Sequence, residues 1–237
     1  MSPRSPSVNE AMRQRSRERL LQATVELVEE RGYEATTLAD ITKRAGSARG
    51  LVSYYYSGKR ALLQSAVHRL MNQELAAAME REPRTEDGEE LLARAIDAIL
   101  GLTQTHTTLM RTHMASILQE EGFIQCPEQQ RLALLLRQAV ACWGAADPDE
   151  EYRLLRALLM GATVALLLPG APMPLAKLRA ELFQRYELDW SAGLPPSGGE
   201  LRGGEPGPRP RRPCRAEESV PAPAPAAAAR PGSARIG

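Results

Sequence analysis

Residues Thr37–Arg60, TLADITKRAGSARGLVSYYYSGKR, decide the fold of this chain. Thr37 followed by Asp40 is the pattern of a reciprocal helix cap, and Gly46 is placed to end a first short helix. A second short helix is predicted over about Arg49–Tyr55. Two short helices joined by a turn that contains glycine are the layout of a helix-turn-helix, the motif with which many proteins read DNA.

Helical periodicity continues on both sides of this motif. A first helix is predicted over about Ser16–Arg31, and a longer fourth helix is predicted to follow a cap at Ser57. Asp147 before Pro148, with acidic residues directly behind, is a strong helix start. No stretch of useful length alternates as a strand does, so the sequence predicts an all-α fold. The helices predicted further on are Glu89–Thr105, Thr107–Glu120, Pro127–Gly144, Pro148–Leu168 and Pro174–Glu187.

The composition changes abruptly at Ser191. Ten of the 18 prolines and eight of the 18 glycines lie in the last 47 residues, where no aromatic residue occurs. Such a segment cannot bury enough apolar surface to offset the entropy lost on ordering. We therefore expect residues 191–237 to be disordered, and residues 1–12, which are rich in Ser and Pro, to be flexible.

Charge is unevenly distributed along the chain. Residues 1–80 carry 12 Lys/Arg and 9 Asp/Glu, a net charge of +3, whereas residues 81–190 carry 11 and 16, a net charge of −5. A polyanion is therefore expected to meet the N-terminal part. The acidic balance of the second part mildly favours neutral or cationic ligands over anionic ones.

Several kinds of site and location are disfavoured. Three cysteines without a CxxC pair, and histidines without a recognised ligand spacing, predict neither a metal site nor a cofactor. An enzyme is not expected, because no Ser/His/acid, phosphate-loop or paired-carboxylate arrangement occurs. The N-terminus lacks the apolar segment of a signal peptide, and the longest apolar run is shorter than the ~20 residues of a membrane span. We therefore expect a cytoplasmic protein without membrane contact.

The run from Arg17 to Leu63 resembles the N-terminal domain of tetracycline-repressor-like (TetR family) transcription regulators. The resemblance covers nearly 50 residues with the family's spacing throughout. The matching residues are Leu20, Leu21, Ala23, Gly32, Tyr33, Thr36, Thr37, Ile41, Ala45, Gly46, Gly50, Tyr54, Tyr55, Tyr56, Lys59 and Leu62.

The resemblance implies a set of DNA contacts. Thr36 and Thr37 stand where the family's second helix begins, so that their hydroxyls and the free amides can hold a phosphate. Arg49 opens the recognition helix and is the best candidate for reading O6 and N7 of a guanine. Lys59 and the tyrosines before it match positions that clamp phosphates. The full predicted set is Thr36, Thr37, Lys43, Arg44, Ser47, Ala48, Arg49, Gly50, Ser53, Tyr54, Tyr55 and Lys59.

Three positions depart from the family's pattern. Ala48 stands where a serine commonly caps the recognition helix, so either Ser47 caps it or the helix starts differently. Ser53 replaces a frequent tyrosine, and Gly58 stands where Ser or Asn is usual. Tyr56 is expected to pack between the first and fourth helices. These departures leave DNA binding intact but make the operator sequence unpredictable from relatives.

The resemblance further implies two domains. Residues 13–75 form the DNA-binding domain, with the motif at about 38–57, and residues 76–190 form a helical domain that binds a ligand and dimerises. Pocket candidates are adaptable or aromatic side chains, although such groups mostly fill interiors: Met110, His113, Met114, Phe123, Trp143 and Met160. The dimer interface is predicted at Leu154, Leu158, Ala162, Ala165, Leu178 and Leu182.

The function implied is that of a homodimeric, sequence-specific repressor that leaves a palindromic double-stranded DNA operator when a small-molecule effector binds. An activator, or a regulator whose ligand promotes DNA binding, fits the same residues. A ligand-sequestering protein without DNA function is a further alternative. A metal sensor built on His106, His113 and Cys126, or a redox sensor built on Cys126 or Cys142, is another.

Overall fold

The described part of the chain consists of nine α-helices. The computed structural model describes residues 6–118 and 126–189, and no strand occurs within these ranges, which confirms the predicted all-α fold. The helices are α1 (Pro6–Arg31), α2 (Leu38–Arg44), α3 (Arg49–Tyr55), α4 (Lys59–Glu80), α5 (Gly88–Thr105), α6 (Thr107–Ile117), α7 (Pro127–Trp143), α8 (Pro148–Leu167) and α9 (Leu175–Arg185).

Helices α1, α2 and α3 pack with the first half of α4 around one apolar cluster. Leu20, Ile41, Leu62 and Val67 form its centre and are wholly removed from solvent. Each helix contributes one apolar stripe, so the two short helices are held mainly by tertiary packing rather than by their own propensity. Helix α6 reaches the same cluster through Leu109.

Helix α1 begins earlier than the sequence predicts. The expected start near Ser16 is wrong, since the helix begins at Pro6, and residues 6–12, predicted to be flexible, are helical. Residues 10–15 are exposed, so no apolar stripe marks this part of the helix in the sequence. Proline at the first helical position and good helix formers such as Met12 and Arg13 favour a helix there without burial.

Helix α4 belongs to both halves of the molecule. Its early residues Leu62 and Leu63 lie in the N-terminal cluster, whereas Leu75 lies in a second cluster. This second cluster is built by α5, α7, α8 and α9 and includes Leu92, Ile96, Ala139, Leu155 and Phe183. A displacement of α4 would therefore move both clusters.

The connection between α4 and α5 is held by a buried arginine. Arg94 exposes only 2% of its surface and donates hydrogen bonds to the backbone oxygens of Arg81 at 2.7 Å and Pro83 at 2.8 Å. Its charge is balanced by Glu90, at 2.6 Å. Close packing continues at Gly88, where a side chain would collide with the backbone of α7.

The helix starts agree only partly with the sequence. The cap predicted at Asp147 is confirmed, because its carboxylate accepts hydrogen bonds from the N–H groups of Asp149 and Glu150, both at 3.0 Å. The cap predicted at Ser57 is wrong, since Gly58 directly precedes α4 and no side chain caps that helix. Within the described ranges, no helix combines the length and apolar character that crossing a bilayer requires.

Candidate DNA-contacting surface and ligand cavity

Helix α3 has one face in the interior and one face in solvent. Val52, and Tyr56 directly after the helix, are buried, whereas Gly50, Ser53 and Tyr54 are exposed. Tyr54 exposes 73% of its surface. A β-carbon built at Gly50 would meet nothing within 4 Å, so another molecule can come close to the backbone there. The helix is thus anchored on one side and available for contact on the other.

The turn that leads into α3 is closed by backbone groups. No side chain caps the helix at Ala48. Of the two alternatives left by the sequence, capping by Ser47 is the one that fails, since its hydroxyl is buried without a hydrogen-bond partner among the described residues. Its N–H instead donates to the carbonyl of Thr42 at 2.9 Å, and Gly46 takes a φ of 57°. Arg49 opens α3, but its side chain lies outside the described part, so its contact with guanine stays a prediction.

Thr36 and Thr37, predicted as neighbouring phosphate contacts, face opposite directions. Thr37 forms the predicted reciprocal cap, in which its hydroxyl accepts from the N–H of Asp40 at 3.2 Å while its own N–H donates to the Asp40 carboxylate at 3.1 Å. Thr36 is wrong as a surface contact because it is 0% exposed. Its hydroxyl donates to the carbonyl of Gly32 at 2.8 Å and so closes the end of α1.

The basic residues of α2 differ in how they are held. Arg44 donates to both carboxylate oxygens of Glu30, at 2.7 and 2.8 Å, and to Glu26 at 3.2 Å. These bonds brace α2 against α1. Lys43 is exposed on the surface. Of the two predicted contacts, Lys43 is thus the one presented to solvent, while Arg44 already has carboxylate partners.

Lys59 points into the molecule as well as towards its surface. Its ammonium donates to the carbonyls of Tyr33 at 2.9 Å and Thr36 at 3.0 Å, and it lies 4.0 Å from the centre of the Tyr33 ring. Lysine has three donors and no acceptor, so two of them stabilise the segment between α1 and α2. A phosphate contact by Lys59 stays a prediction, and the geometry adds a structural role that the sequence did not reveal.

The three consecutive tyrosines have three different environments. Tyr56 is buried, as expected, and its hydroxyl accepts a hydrogen bond from Nε of Arg17 at 3.2 Å. Burial raises the pKa of Tyr56 to about 12. Tyr55 is half-buried with its ring 5.0 Å from that of Tyr54, and its hydroxyl has no hydrogen-bond partner within the described ranges. Only Tyr54 lies freely on the surface.

A cavity lies between α4, α5, α6, α7 and α8. Including its mouth it holds ≈ 580 Å³ of empty space, but the centre of a water molecule can occupy only ≈ 60 Å³ of it. A ligand of ordinary size must therefore displace side chains, and flexible methionines are well suited to rearrange. The methionines in its walls are Met71, Met110, Met114 and Met160.

Two histidines form part of the cavity wall. The rings of His68 and His113 meet edge to face with their centres 5.0 Å apart. Burial, with Arg156 nearby, lowers the pKa of His68 to about 4, and burial beside His68 lowers the pKa of His113 to about 3. Both rings are therefore neutral near pH 7. Nδ1 of His113, in a residue only 1% exposed, has no hydrogen-bond partner among the described residues.

The predicted ligand residues are partly brought together. Trp143 is wrong as a pocket residue, because its ring packs edge to face on Tyr186 and its Nε1–H donates to the Tyr186 carbonyl at 3.1 Å. Phe123 lies outside the described residues. Sequence reasoning missed His68, which sits in α4 among apolar positions and carries no distinguishing pattern. The predicted residues that do line the cavity are Met110, His113, Met114 and Met160.

The alternatives of a metal sensor and of a redox sensor built on Cys126 gain no support from the described residues. Among them, no group of three His, Cys, Asp or Glu side chains is arranged to hold a metal ion. Nδ1 of His106 lies 3.6 Å from Glu29 rather than beside His113. Burial raises the pKa of the Cys126 thiol, which disfavours the reactive thiolate.

Residues 20–66, which run from α1 through the motif into α4, match the family described as bacterial regulatory proteins, tetR family. This part of the chain is therefore similar to the DNA-binding domain of the tetR family. Relatives include the HTH-type transcriptional regulator BetI 1 of Chromohalobacter salexigens, 35% identical over 100 residues, and BetI of Burkholderia mallei, 31% identical over 105 residues. These matches span 42–44% of this chain and 50–54% of the relatives, so the chain covers about half their length.

Solved structures of transcriptional regulators share the fold over a longer stretch. A TetR transcriptional regulator from Rhodococcus sp. RHA1 has a TM-score of 0.59 at 18% identity and covers 73% of this chain and 95% of its own. A TetR-family regulator from Pectobacterium atrosepticum has a TM-score of 0.57 at 21% identity, covering 77% and 95%. FadR from Bacillus subtilis, solved with stearoyl-CoA, has a TM-score of 0.51 at 17% identity, covering 75% and 98%. At such identities the likeness establishes the fold alone.

Helix α8 has an exposed apolar face that only partly matches the predicted dimer interface. Ala162 and Leu182 are wrong as interface residues, since they are buried in the second cluster of the same chain. They lie on the inner side of their helices, which a stripe of apolar residues does not distinguish from the outer side. Leu154 and Leu168 are exposed, at 38% and 49%. The remaining predicted residues, Leu158, Ala165 and Leu178, are half-buried.

Proposed function

We propose that this chain is a homodimeric transcriptional repressor that binds a palindromic DNA operator through α3 and leaves it when a small molecule enters the cavity. The repressor acts in the cytoplasm, where bacterial DNA is found. The observation that carries the proposal is α3 itself. It is a two-turn helix with buried anchors on one side and Gly50, Ser53 and Tyr54 exposed on the other, in a domain of the tetR family.

The exposed face of α3 suits the floor of a major groove. Small groups at Gly50 and Ser53 let the helix approach base edges, and Tyr54 at the rim can reach a phosphate. The reciprocal cap at Thr37 and the brace from Arg44 fix the preceding helix, so that α3 is presented in one orientation. Arg49, at the start of α3, is assigned to a guanine in each half-site.

The cavity suits an uncharged, mostly apolar effector with one hydrogen-bonding group. Its walls are largely apolar, both histidines are neutral at pH 7, and Nδ1 of His113 lacks a partner among the described residues. The wall includes His68 and Met71 of α4, the helix shared by both clusters. An effector that displaces them therefore acts on α4, which follows α3 and packs with it in the N-terminal cluster. A coupling free energy of about 1–3 kcal/mol between effector and operator changes operator affinity by 5- to 150-fold.

The exposed face of α8 supports the dimer. Leu154 and the half-buried Leu158 of this helix form an apolar strip together with Leu168 directly after it, and the exposed Gly161 between them allows a second helix to come close. A palindromic operator requires a two-fold symmetric pair whose α3 helices lie roughly 34–36 Å apart, one turn of DNA.

The decisive experiment is selection of bound sequences from random duplexes, followed by a test of release with a library of uncharged apolar compounds. We expect an inverted repeat with half-sites about one DNA turn apart. The proposal is refuted if the protein shows no preference over bulk DNA at moderate salt.

Substitution of Arg49 tests the assigned contact. Arg49→Ala is expected to relax base preference at one position of each half-site, by about 1–3 kcal/mol per half-site. The matched control is Arg153→Ala, at an exposed position of α8, which should leave the selected sequence unchanged. Equal loss on operator and random DNA for Arg49→Ala would contradict the assignment.

Introducing a charged side chain into the apolar strip of α8 tests the proposed dimer. Leu154→Glu is expected to give monomers by light scattering and to abolish operator binding. Leu134→Glu, at a similarly exposed leucine of α7, is the matched control and should remain dimeric. Dimers of unchanged stability in Leu154→Glu would place the interface elsewhere.

A further inference from the structure

An ion pair connects the cavity half of the molecule to the end of the recognition helix. Glu128, in the first turn of α7, is almost completely buried, and its carboxylate lies 2.7 Å from the guanidinium of Arg17 in α1. Nε of the same guanidinium donates to the hydroxyl of Tyr56 at 3.2 Å. Tyr56 directly follows α3, and its own N–H donates to the carbonyl of Val52 within that helix at 2.8 Å.

The other side of the same helix start touches the cavity. Sγ of Cys126, the residue before α7, accepts the N–H of Gln129 at 3.4 Å and lies 3.2 Å from Nδ1 of His68. Gln129 and His68 both line the cavity, and the His68 ring rests on His113. The first turn of α7 is therefore held between the cavity histidines and Arg17.

We infer that Glu128 is a positioning residue for DNA binding. Its carboxylate fixes α3 through Arg17 and Tyr56 when the cavity is empty, and loses this hold when a ligand occupies the cavity. Arginine suits this place because its planar group can bind a carboxylate and a hydroxyl at once, with different nitrogens. A ligand that moves His68 or Gln129 shifts the first turn of α7, and with it the carboxylate that holds Arg17. The effect on DNA binding rests on the proposed function, whereas the effect on α3 depends only on contacts within one chain.

The direct test is amide hydrogen exchange of the free dimer, which requires no operator. Tyr56→Phe removes the hydroxyl but keeps the ring, and Glu128→Gln removes the charge at nearly constant size. Both variants are expected to speed exchange of the α3 amides by about tenfold, while α5 and α8 keep their protection. His68→Phe, which removes the contact with Cys126 but keeps a ring in the cavity wall, is expected to speed exchange in α3 in the same way.

A matched control separates this connection from any other contact between the halves. Glu29 of α1 accepts the N–H of Leu109 in α6 at 3.1 Å, a contact between the halves that is made without Arg17 or the Tyr56 hydroxyl. Glu29→Gln should leave exchange in α3 unchanged. Unchanged exchange in Tyr56→Phe, or faster exchange throughout the molecule in all variants, would overturn the inference, because it would make the ion pair irrelevant to α3 or merely a part of global stability.

Operator binding supplies the second measurement once a site has been selected. Tyr56→Phe and Arg17→Lys are each expected to weaken operator binding about tenfold, and the double variant is expected to be no weaker than either single one. Arg19→Lys, at an exposed position of α1, is the control. Additive losses would overturn the inference. Failure to select any operator, with selective exchange in α3 still observed, would instead count against the proposed function alone.

Discussion

The segment between α1 and α2 and the cavity differ in how their polar groups are paired, since Thr36 and the amine of Lys59 have partners there whereas Nδ1 of His113 has none among the described residues. Beneath α3, the hydroxyl of Thr36 donates to a carbonyl at 2.8 Å, and the ammonium of Lys59 lies between two carbonyls at 2.9 and 3.0 Å. In the cavity, Nδ1 of His113 is buried without a partner among the described residues. A satisfied group stabilises one arrangement, whereas an unpaired one costs free energy until something binds it. The contacts of Thr36 and Lys59 therefore hold the segment between α1 and α2 in one arrangement, whereas the cavity keeps a group that a ligand can pair with. The hydroxyls of Ser47 and Tyr55, also buried without a partner among the described residues, lie outside this contrast.

Acid should have the largest effect and should act through the cavity, because the buried rings of His68 and His113 stay neutral at pH values where the same side chains are charged in the unfolded chain. His68 and His113 have folded-state pKa values of about 4 and about 3, below their ordinary value of 6.5, so the unfolded chain binds protons first. Their contribution is intact above pH 6.5 and is lost as the pH falls towards 4. At pH 5 each ring should lower the free energy of unfolding by about 2 kcal/mol. Urea titrations at pH 7 and pH 5 measure this loss.

The acid response should belong to the histidines rather than to surface carboxylates. Hydrogen bonds from Arg44 and Thr37 lower the pKa values of Glu30 and Asp40 from 4.5 and 3.8, so their contribution is lost only at lower pH. The double variant His68→Phe/His113→Leu should therefore lose most of the difference between pH 7 and pH 5. An unchanged difference in this variant would show that the sensitivity lies elsewhere.

Substitution of Lys59 tests the paired groups between α1 and α2, and its effect on the free energy of unfolding should be the next largest. Lys59→Met leaves the carbonyls of Tyr33 and Thr36 without their donor, and should lower the free energy of unfolding by about 1–3 kcal/mol. Lys43→Met, at the exposed lysine of α2, should change stability by less than about 0.5 kcal/mol. Thermal or urea unfolding at pH 7 compares the two. Equal effects would mean that the carbonyls find water when the ammonium is removed, and that the region is less fixed than its contacts indicate.

The sequence predicted local features better than distant contacts. The bounds of α3 and the reciprocal cap of Thr37 with Asp40 depend on neighbours along the chain, and both are confirmed. The burial of Thr36 and the partners of Lys59 depend on tertiary packing, which no periodicity reveals. The partners of Lys59 lie 23 residues or more away along the chain. Capping propensity was also misleading, because Ser47 and Ser57 are typical capping residues, yet no side chain caps α3 or α4.

The cavity was harder to predict than the motif for a physical reason. Its wall combines side chains from five helices, so a methionine or histidine on any one of them has the pattern of an ordinary core residue. His113 fits that pattern, and only its unpaired Nδ1 sets it apart. His68 lies in a helix assigned by sequence to the DNA-binding domain. Ala162 and Leu182 show the same limit, since an apolar stripe does not say whether a core or a second chain covers it.

Removing the unpaired Nδ1 of His113 tests the cavity side of the comparison, with a smaller expected change in stability. His113→Leu replaces a buried ring whose Nδ1 has no partner in the described part of the structure, and should raise the free energy of unfolding by about 1 kcal/mol at pH 7. The same change should weaken binding of an effector that pairs with Nδ1. Unfolding and effector titrations on one preparation measure both. Lower stability would indicate that His113 has a hidden partner, and the contrast with Thr36 would then disappear.

The smallest expected effect is that of Gly50→Ala, which separates the stability of α3 from its contact with DNA. Gly50 has open space around it, so Gly50→Ala should stabilise the helix by about 0.5–1 kcal/mol while placing a methyl group where a duplex would approach. Gly101→Ala in α5, where the surrounding space is also open, should give a similar gain and leave operator affinity unchanged. Gly50→Ala should bind its operator more weakly although it is more stable, because stability belongs to the buried side of α3 and recognition to the exposed side. Equal operator affinity for both variants would show that the backbone of α3 stays clear of the duplex.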